Sequence, residues 1–345
     1  MAKLKKIIII IASFFIIFST IGFFIGKSYY DKIFAPNTVK IETAVYVYIP
    51  TGSNFDDVCK IFENSGYIKN METFRFVAGL KNYKEKIYAG KYKLTKTTSN
   101  NELINNLRSN RQEMVKLSFI SLRSLDILAK KLSIFLEPDS IEFSQCFKNY
   151  ELISKIGFTK ETFITLFIPN TYEFYWNTSA EKFLERMSIE YKNFWNTERQ
   201  NKANLLKLTQ IEVSILASIV EEETQKNDEK SRISGVYINR LNKGMPLQAD
   251  PTVKFAVGDV NLTRILNRHL EIDSPYNTYK HAGLPPGPIC IPSISSIDAV
   301  LNYEKHNYLY FCAKPDFSGY HNFANTLTQH NIYATQYHNA LKKIK

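Results

Sequence analysis

"SILASIVEEETQKNDE", residues 214–229, carries an apolar helix straight into three consecutive glutamates, Glu221, Glu222 and Glu223. Ile211, Ile215, Leu216, Ile219 and Val220 recur at helical spacing, so this helix turns a face to a core. Acids at the end of a buried helix either solvate that end or stand at a cleft. At about 100° per residue, Glu222 and Glu223 project toward the apolar face. Glu221 projects to an edge lined by Ser214, Ser218 and Gln225, where small side chains leave room for a ligand. The structural alternative pairs Glu223 with Lys230 or Arg232.

Downstream, "EKSRISGVYINRLNKG" (229–244) predicts a second helix with Ile233, Val236, Tyr237 and Leu241 on one face and Gly244 as its C-terminal cap. Three turn-rich segments follow: "MPLQADPTVKFAVGD", "DSPYNTYKHAGLPPGPICIPS" and "NYLYFCAKPDFSGYHNFANTLTQH". Long loops on a compact core are where binding sites tend to be built. Upstream, "AVYVYIPTGSNFDDVCKIFENSGYI" (44–68) predicts a strand, a turn and an amphipathic helix capped by Ser53 or Asn54. "AGKYKLTKTTSNNELINNLRSN" (89–110) repeats the scheme, and residues 119–143 echo it faintly. "LFIPNTYEFYWNTSAEKFLERM" (166–187) is an aromatic turn before a helix capped by Thr178 or Ser179.

The N-terminus bears on the compartment. Lys3, Lys5 and Lys6 precede the uncharged residues 7–26, a length that spans a hydrocarbon core of about 30 Å. Phe23, Phe24 and Ile25 stand where a cleavage site would need small residues, so the segment is expected to be an uncleaved anchor. Basic flanks favour a cytoplasmic N-terminus, which puts the rest of the chain outside the cytoplasm. The surplus of 44 Lys+Arg over 33 Asp+Glu suits an anionic partner, and 24 Phe with 21 Tyr exclude a disordered chain. Cys59, Cys146, Cys290 and Cys312 lack metal-ligand spacing; a Cys290–Cys312 pair and buried free thiols are both open. No P-loop, zinc signature or GxSxG motif occurs.

Taken in order, "ASIVEEET", "NRLNKGMPLQADPTV", "SPYNTY", "GLPPGPI" and the "YLYF" segment with its downstream His-Asn-Phe resemble the YceG-like endolytic murein transglycosylases. The resemblance runs over roughly residues 165–335. It implies an α+β fold: a short cytoplasmic N-terminus (1–6), a transmembrane anchor (7–26), a linker (27–42), a small LysM-like module (43–117) and a larger catalytic domain (118–345). It further implies a lyase that cuts nascent glycan strands at the MurNAc–GlcNAc bond, leaves 1,6-anhydro-muramyl ends and so terminates elongation. The expected partners are glycan strands, the cytoplasmic membrane and cell-wall synthases. Nucleic acid, metal and cofactor are not expected.

Breaking a glycosidic bond needs a proton for the leaving oxygen, which a carboxylic acid kept neutral near pH 7 supplies. Apolar surroundings, neighbouring carboxylates and a helix C-terminal dipole would each raise a Glu pKa here. A lytic transglycosylase activates no water, because the sugar's own 6-hydroxyl closes onto the anomeric carbon; one Glu then serves as acid and as base. The wheel and the resemblance both choose Glu221, although the wheel alone also admits Glu223. Gln248, Asp250, Tyr276, Asn277, Thr278, His321 and Asn322 are the candidate substrate contacts. Asp250 has a competing reading as organiser of the turn before Pro251, and His321 and His330 have one as structural groups. Gly283, Pro285, Pro286 and Gly287 are expected to form a rigid cleft wall. Two departures from the family pattern stand out: Glu222 where a basic residue is common, and Asn170 where "FPDTY" carries Asp. The alternatives are a hydrolytic muramidase with Asp250 or Asp273 as base, and a silent glycan-binding scaffold.

Overall fold

The computed structural model describes residues 1–39, 41–259, 262 and 264–344. The chain divides into two compact units, residues 1–116 with 173–178, and residues 117–172 with 179–345.

The first unit opens with helix α1 (Ala2–Phe34), the one unbroken helix among the described residues long and apolar enough to cross a membrane. The expected linker from residue 27 is helical as far as Phe34. Nothing in "KSYYDKIF" breaks a helix, and the first proline is Pro36. The foot of α1 is tied to its unit by the buried Asn100, whose Nδ2 donates to the Lys32 carbonyl at 2.9 Å. Strand β1 (Val45–Ile49) leads to helices α2 (Phe55–Ser65) and α3 (Met71–Leu80), then to β2 (Gly90–Leu94), antiparallel to β1. Val47, Ile49, Tyr92 and Leu94 point inward and Tyr46, Tyr48 and Lys93 outward, the alternation of a half-buried sheet. Asn54 and Asp57 form a reciprocal capping box on α2. Helix α4 (Asn100–Arg108) closes the core of Phe62, Phe74, Leu103 and Leu107.

Strand β3 (Met114–Ser118) pairs with β4 (Thr171–Tyr175), and the division between the units runs across both strands. Residues 173–178 therefore fall in the first unit, which a single cut between 117 and 118 does not anticipate.

In the second unit, α5 (Leu125–Phe135), α6 (Ser140–Phe147) and α7 (Tyr150–Lys155) precede β4, and α8 (Ala180–Phe194) follows it with Ser179 as N-cap. Phe143, Phe147, Phe163, Phe167 and Phe183 form a connected ring cluster beneath them. Helix α9 (Thr197–Leu205) then feeds α10 (Gln210–Glu223), in which every residue from Val213 to Val220 is buried. Helices α11 (Asn227–Asn242), α12 (Asp250–Val257) and α14 (Ile294–Leu301) pack around α10; α13 (Asn267–Leu270) lies between α12 and α14 in sequence. A hairpin of β5 (Tyr310–Ala313) and β6 (His321–Ala324) and the terminal helix α15 (Leu327–Ile344) complete the unit. All four cysteines are free thiols.

Candidate active site

Helix α10 is enclosed on all sides, not on one stripe, so its C-terminal end delivers three carboxylates into packed surroundings. The helix stops at Glu223 because Thr224 turns extended and the chain re-enters a helix at Asn227. Ser214 and Ser218, expected to leave space for a sugar, are buried instead. Ser218 Oγ donates to the Ile215 carbonyl at 2.7 Å and accepts from the Ile289 N–H at 3.0 Å, joining α10 to the "PGPICIPS" loop.

The three glutamates meet three different environments. Glu221 Oε2 accepts from Lys230 Nζ at 3.0 Å, from the Ser293 N–H at 3.3 Å, and from the hydroxyls of Ser293 and Ser296. Ser293 is the N-cap of α14, so this carboxylate sits at a helix N-terminus, where the backbone dipole also favours negative charge. Burial pushes the Glu221 carboxyl up, but the Ser293, Ser296 and Lys230 hydrogen bonds outweigh it and hold the group below the ordinary carboxylate value. The expected upward shift at Glu221 is thus reversed: the donors were invisible while the neighbouring elements were unknown. Lys230, with only 5% of its side chain exposed, pairs with Glu221 and not with Glu223. Arg232 pairs with Glu304 at 3.0 Å. Glu222 is half-buried and meets Arg123 Nη2 at 3.0 Å.

Glu223 has the surroundings first expected of Glu221. Its Oε1 accepts from the hydroxyl of the buried Tyr237 at 2.5 Å. The residue as a whole is part-exposed, while its carboxyl lies deep. Burial pushes this carboxyl up to about 7; Tyr237 and Arg240 pull it down and the negative charge of Asp250 pushes it further up. Burial and the adjacent Glu223 hold the Tyr237 phenol well above its usual range, so it remains a proton-bearing donor. Arg240 is fixed behind this pair by the carbonyls of Leu309 at 2.6 Å and Leu247 at 2.8 Å, and by Gln248 Oε1 at 3.2 Å.

The other candidates divide in two. Asp250 opens α12 and accepts from the Tyr279 hydroxyl at 2.6 Å, while the exposed Gln248 holds a left-handed backbone (φ 50°) anchored by its N–H to the Thr278 carbonyl. A non-glycine residue held there signals a constrained turn. The part-buried Tyr276 lays its ring against Phe255 at 4.7 Å. Asp250, by its charge, and Gln248, through Arg240, lie on the Glu223 side. Asn277 and Thr278 are corrected from substrate contacts to framework residues, because both are buried with their polar atoms consumed. Asn277 Nδ2 donates to the Leu270 and Ile272 carbonyls at 2.8 and 2.9 Å; Thr278 Oγ1 accepts from the Ala249 N–H at 3.0 Å. His321 is bound to the buried Glu229, Nδ1 to Oε2 at 2.9 Å, and Asn322 lies opposite Cys312 in the hairpin. His330 stacks on Tyr310 at 5.5 Å. Gly287 approaches the Glu161 carbonyl so closely that a Cβ would come within 2.1 Å of its oxygen, so this part of the wall accepts no side chain. Asp273 is exposed.

Tyr237, Arg240, Lys230, Ser293 and Ser296 are the residues that sequence reasoning missed as site components. The one signal was a tyrosine, with a polar tip, inside the apolar stripe of α11.

The chain matches the YceG-like family model over residues 47–336. It is 32% identical to a protein named endolytic murein transglycosylase in Bacillus subtilis (strain 168), across 90% of this chain and 88% of that protein. A protein of the same name in Streptococcus pneumoniae (strain D39 / NCTC 7466) is 29% identical across 90% of this chain, which spans 62% of that longer protein. A crystal structure of a YceG-like protein from Listeria monocytogenes superposes with a TM-score of 0.57 at 28% identity, covering 85% of this chain and 99% of that one. With its family model matched along most of its length, this chain belongs to the YceG-like family.

Proposed function

We propose that the chain is a membrane-anchored endolytic murein lytic transglycosylase in which Glu223 is both the general acid and the general base. The observation that carries this is the Tyr237 hydroxyl held on the deep-lying Glu223 carboxyl at 2.5 Å, and burial, which pushes that carboxyl up to about 7, supports it. At that value both protonation states are well populated near neutral pH, which one group needs in order to give and then retrieve a proton. In the first half of the reaction the carboxylic acid protonates the glycosidic oxygen as the bond to the anomeric carbon breaks. In the second, the 6-hydroxyl of the muramyl residue attacks that carbon and its proton returns to the Glu223 carboxylate, leaving a 1,6-anhydro end. Asp250, Gln248 and Tyr276 stand as the substrate contacts, and His321 and Asn322 as outer ones.

The names of the relatives support the substrate class, nascent glycan strands, and α1 supports a single span at the cytoplasmic membrane. On this reading the rest of the chain is extracytoplasmic, and the strand–helix–helix–strand order of the first unit supports a LysM-like role in positioning glycan. Cell-wall synthases are the partners such a position makes available. A hydrolytic reading rests on one observation: the Asp250 charge acts on Glu223, and a second carboxylate beside the acid is what water activation requires.

The test uses the full chain in detergent with uncrosslinked glycan strands, the products being identified by mass spectrometry. Anhydro ends from the parent, lost in Glu223→Gln, are expected. Reducing ends in their place identify a hydrolase, and unchanged cleavage by Glu223→Gln returns the acid role to Glu221 or another carboxyl.

A further inference from the structure

Beside the proposed acid lies a cavity of about 240 Å³ that none of the chemistry above uses. Its walls come from the start of α5 (Ile127), the end of α10 (Glu222), α12 and the turn that follows it (Lys254, Phe255, Asp259) and the loop at Ile289. Glu222 directly precedes Glu223 and Pro251 directly follows Asp250, so the cavity is walled by the sequence neighbours of both carboxyls. Its lining is mainly apolar, and two of the apolar side chains are left in solvent: Ile127 is 46% exposed and Phe255 40%. Tyr276 braces Phe255 from outside the cavity. At the mouth, Arg123 is engaged by Glu222 at 3.0 Å. Lys254 has no ion-pair partner among the described residues. The site therefore combines an apolar wall with a mixed-charge rim, in which Glu222 and Asp259 stand with Arg123 and Lys254 and the Lys254 ammonium is the cation left to meet a ligand carboxylate.

We infer that this cavity is the subsite for the peptide stem of the muramyl residue next to the scissile bond, an inference that rests on the murein-cleaving reading. A muramyl residue carries, through its lactyl ether, a short peptide of small apolar side chains and free carboxylates. The apolar part fits against Phe255 and Ile127, and a carboxylate meets Lys254. A bare sugar ring brings no anion and would leave Lys254 unused. Filling this cavity seats the muramyl residue relative to Glu223, so the stem acts as a specificity determinant for where the strand is cut.

The full chain in detergent is assayed on two substrates that differ only in the stem: uncrosslinked peptide-bearing strands, and the same strands stripped of peptide by an amidase. The parent is expected to favour peptide-bearing strands about tenfold in kcat/KM, a difference of about 1.4 kcal/mol. Phe255→Ala and Lys254→Met should bring that preference toward one, mostly through KM, and Lys254→Arg should retain it. Equal kcat/KM of the parent on both strands, or a parental preference surviving in both variants, overturns the subsite. Should the parent cut neither strand, the catalytic reading fails instead, and equilibrium binding of the peptide-bearing strand decides the subsite. Weaker binding by Phe255→Ala supports it, and equal binding overturns it.

Discussion

Glu221 and Glu223 are two residues apart on one helix, and their surroundings shift the two carboxyls in opposite directions. On the Glu221 side, α14 turns its N-terminus and two serine hydroxyls toward the carboxylate, and Lys230 closes the circle. On the Glu223 side, α11 and α12 offer one phenol and a neighbouring negative charge. Both carboxyls are taken from water, so desolvation alone does not separate them. The number and charge of the donors that replace the water decides. A buried ammonium and several donors hold the Glu221 carboxyl down, whereas burial with one phenol donor and the Asp250 charge leaves the Glu223 carboxyl raised.

The largest effect should come from removing the Glu223 carboxyl. Glu223→Gln keeps the volume and abolishes the proton, so the rate of strand cleavage is expected to fall about 10²–10⁴-fold. Stability runs the other way. A carboxyl raised to about 7 in the folded state favours folding at low pH and opposes it increasingly as the pH rises from the unfolded value toward 7. Thermal melts should therefore show Glu223→Gln gaining on the parent above pH 7. A variant that loses activity and stability together would mark Glu223 as structural.

The clamp should break next. Glu221→Gln leaves Lys230 buried without its counter-charge, and removing one partner of a buried pair costs about 3–5 kcal/mol. Denaturant unfolding at neutral pH measures this. Replacing both partners, Glu221→Gln with Lys230→Met, should recover much of the loss. Because the folded Glu221 pKa is depressed, the contribution is complete above the unfolded value of about 4.3 and disappears as the pH falls below it. A loss that stays the same at every acidic pH would mean that ionisation of Glu221 is not what matters.

Much of this was legible in the sequence, and the part that was not has a physical cause. The period of Ile211, Ile215 and Ile219 gave α10, Asn54 was one of the two caps offered for α2, and the ordered motifs gave the family. The wheel placed Glu222 and Glu223 toward the apolar face and Glu221 on the serine-lined edge. It carried no information about which side α14, 72 residues downstream at Ser293, would occupy. The choice between Glu221 and Glu223 depends on donors supplied by α11 and α14, and no local pattern encodes that. Asn277 and Thr278 show the same limit: polar residues in a loop look alike whether they await a ligand or hold the loop together.

A smaller effect tests the single donor. Tyr237→Phe removes the hydrogen bond that pulls the Glu223 carboxyl down, so its pKa should rise above about 7. Cleavage that requires the acid form is lost as the pH rises through this pKa. The alkaline limb of the rate profile should accordingly move upward, by on the order of one pH unit for a bond of about 1–1.5 kcal/mol. A limb that stays in place, or moves down, would mean that Tyr237 does not tune the acid.

The smallest effect belongs to the middle glutamate. Glu222 and Arg123 meet at 3.0 Å, but 54% of the arginine side chain and 23% of the glutamate remain in solvent. Water screens such a pair and both side chains lose freedom in forming it, so Glu222→Gln should change folding stability by less than about 1 kcal/mol. Added salt should shrink even that difference, since exposed charges are screened over roughly 10 Å at 0.1 M. Unfolding in urea at two salt concentrations measures both quantities. A salt-independent loss of several kcal/mol would place Glu222 in a clamp like that of Glu221.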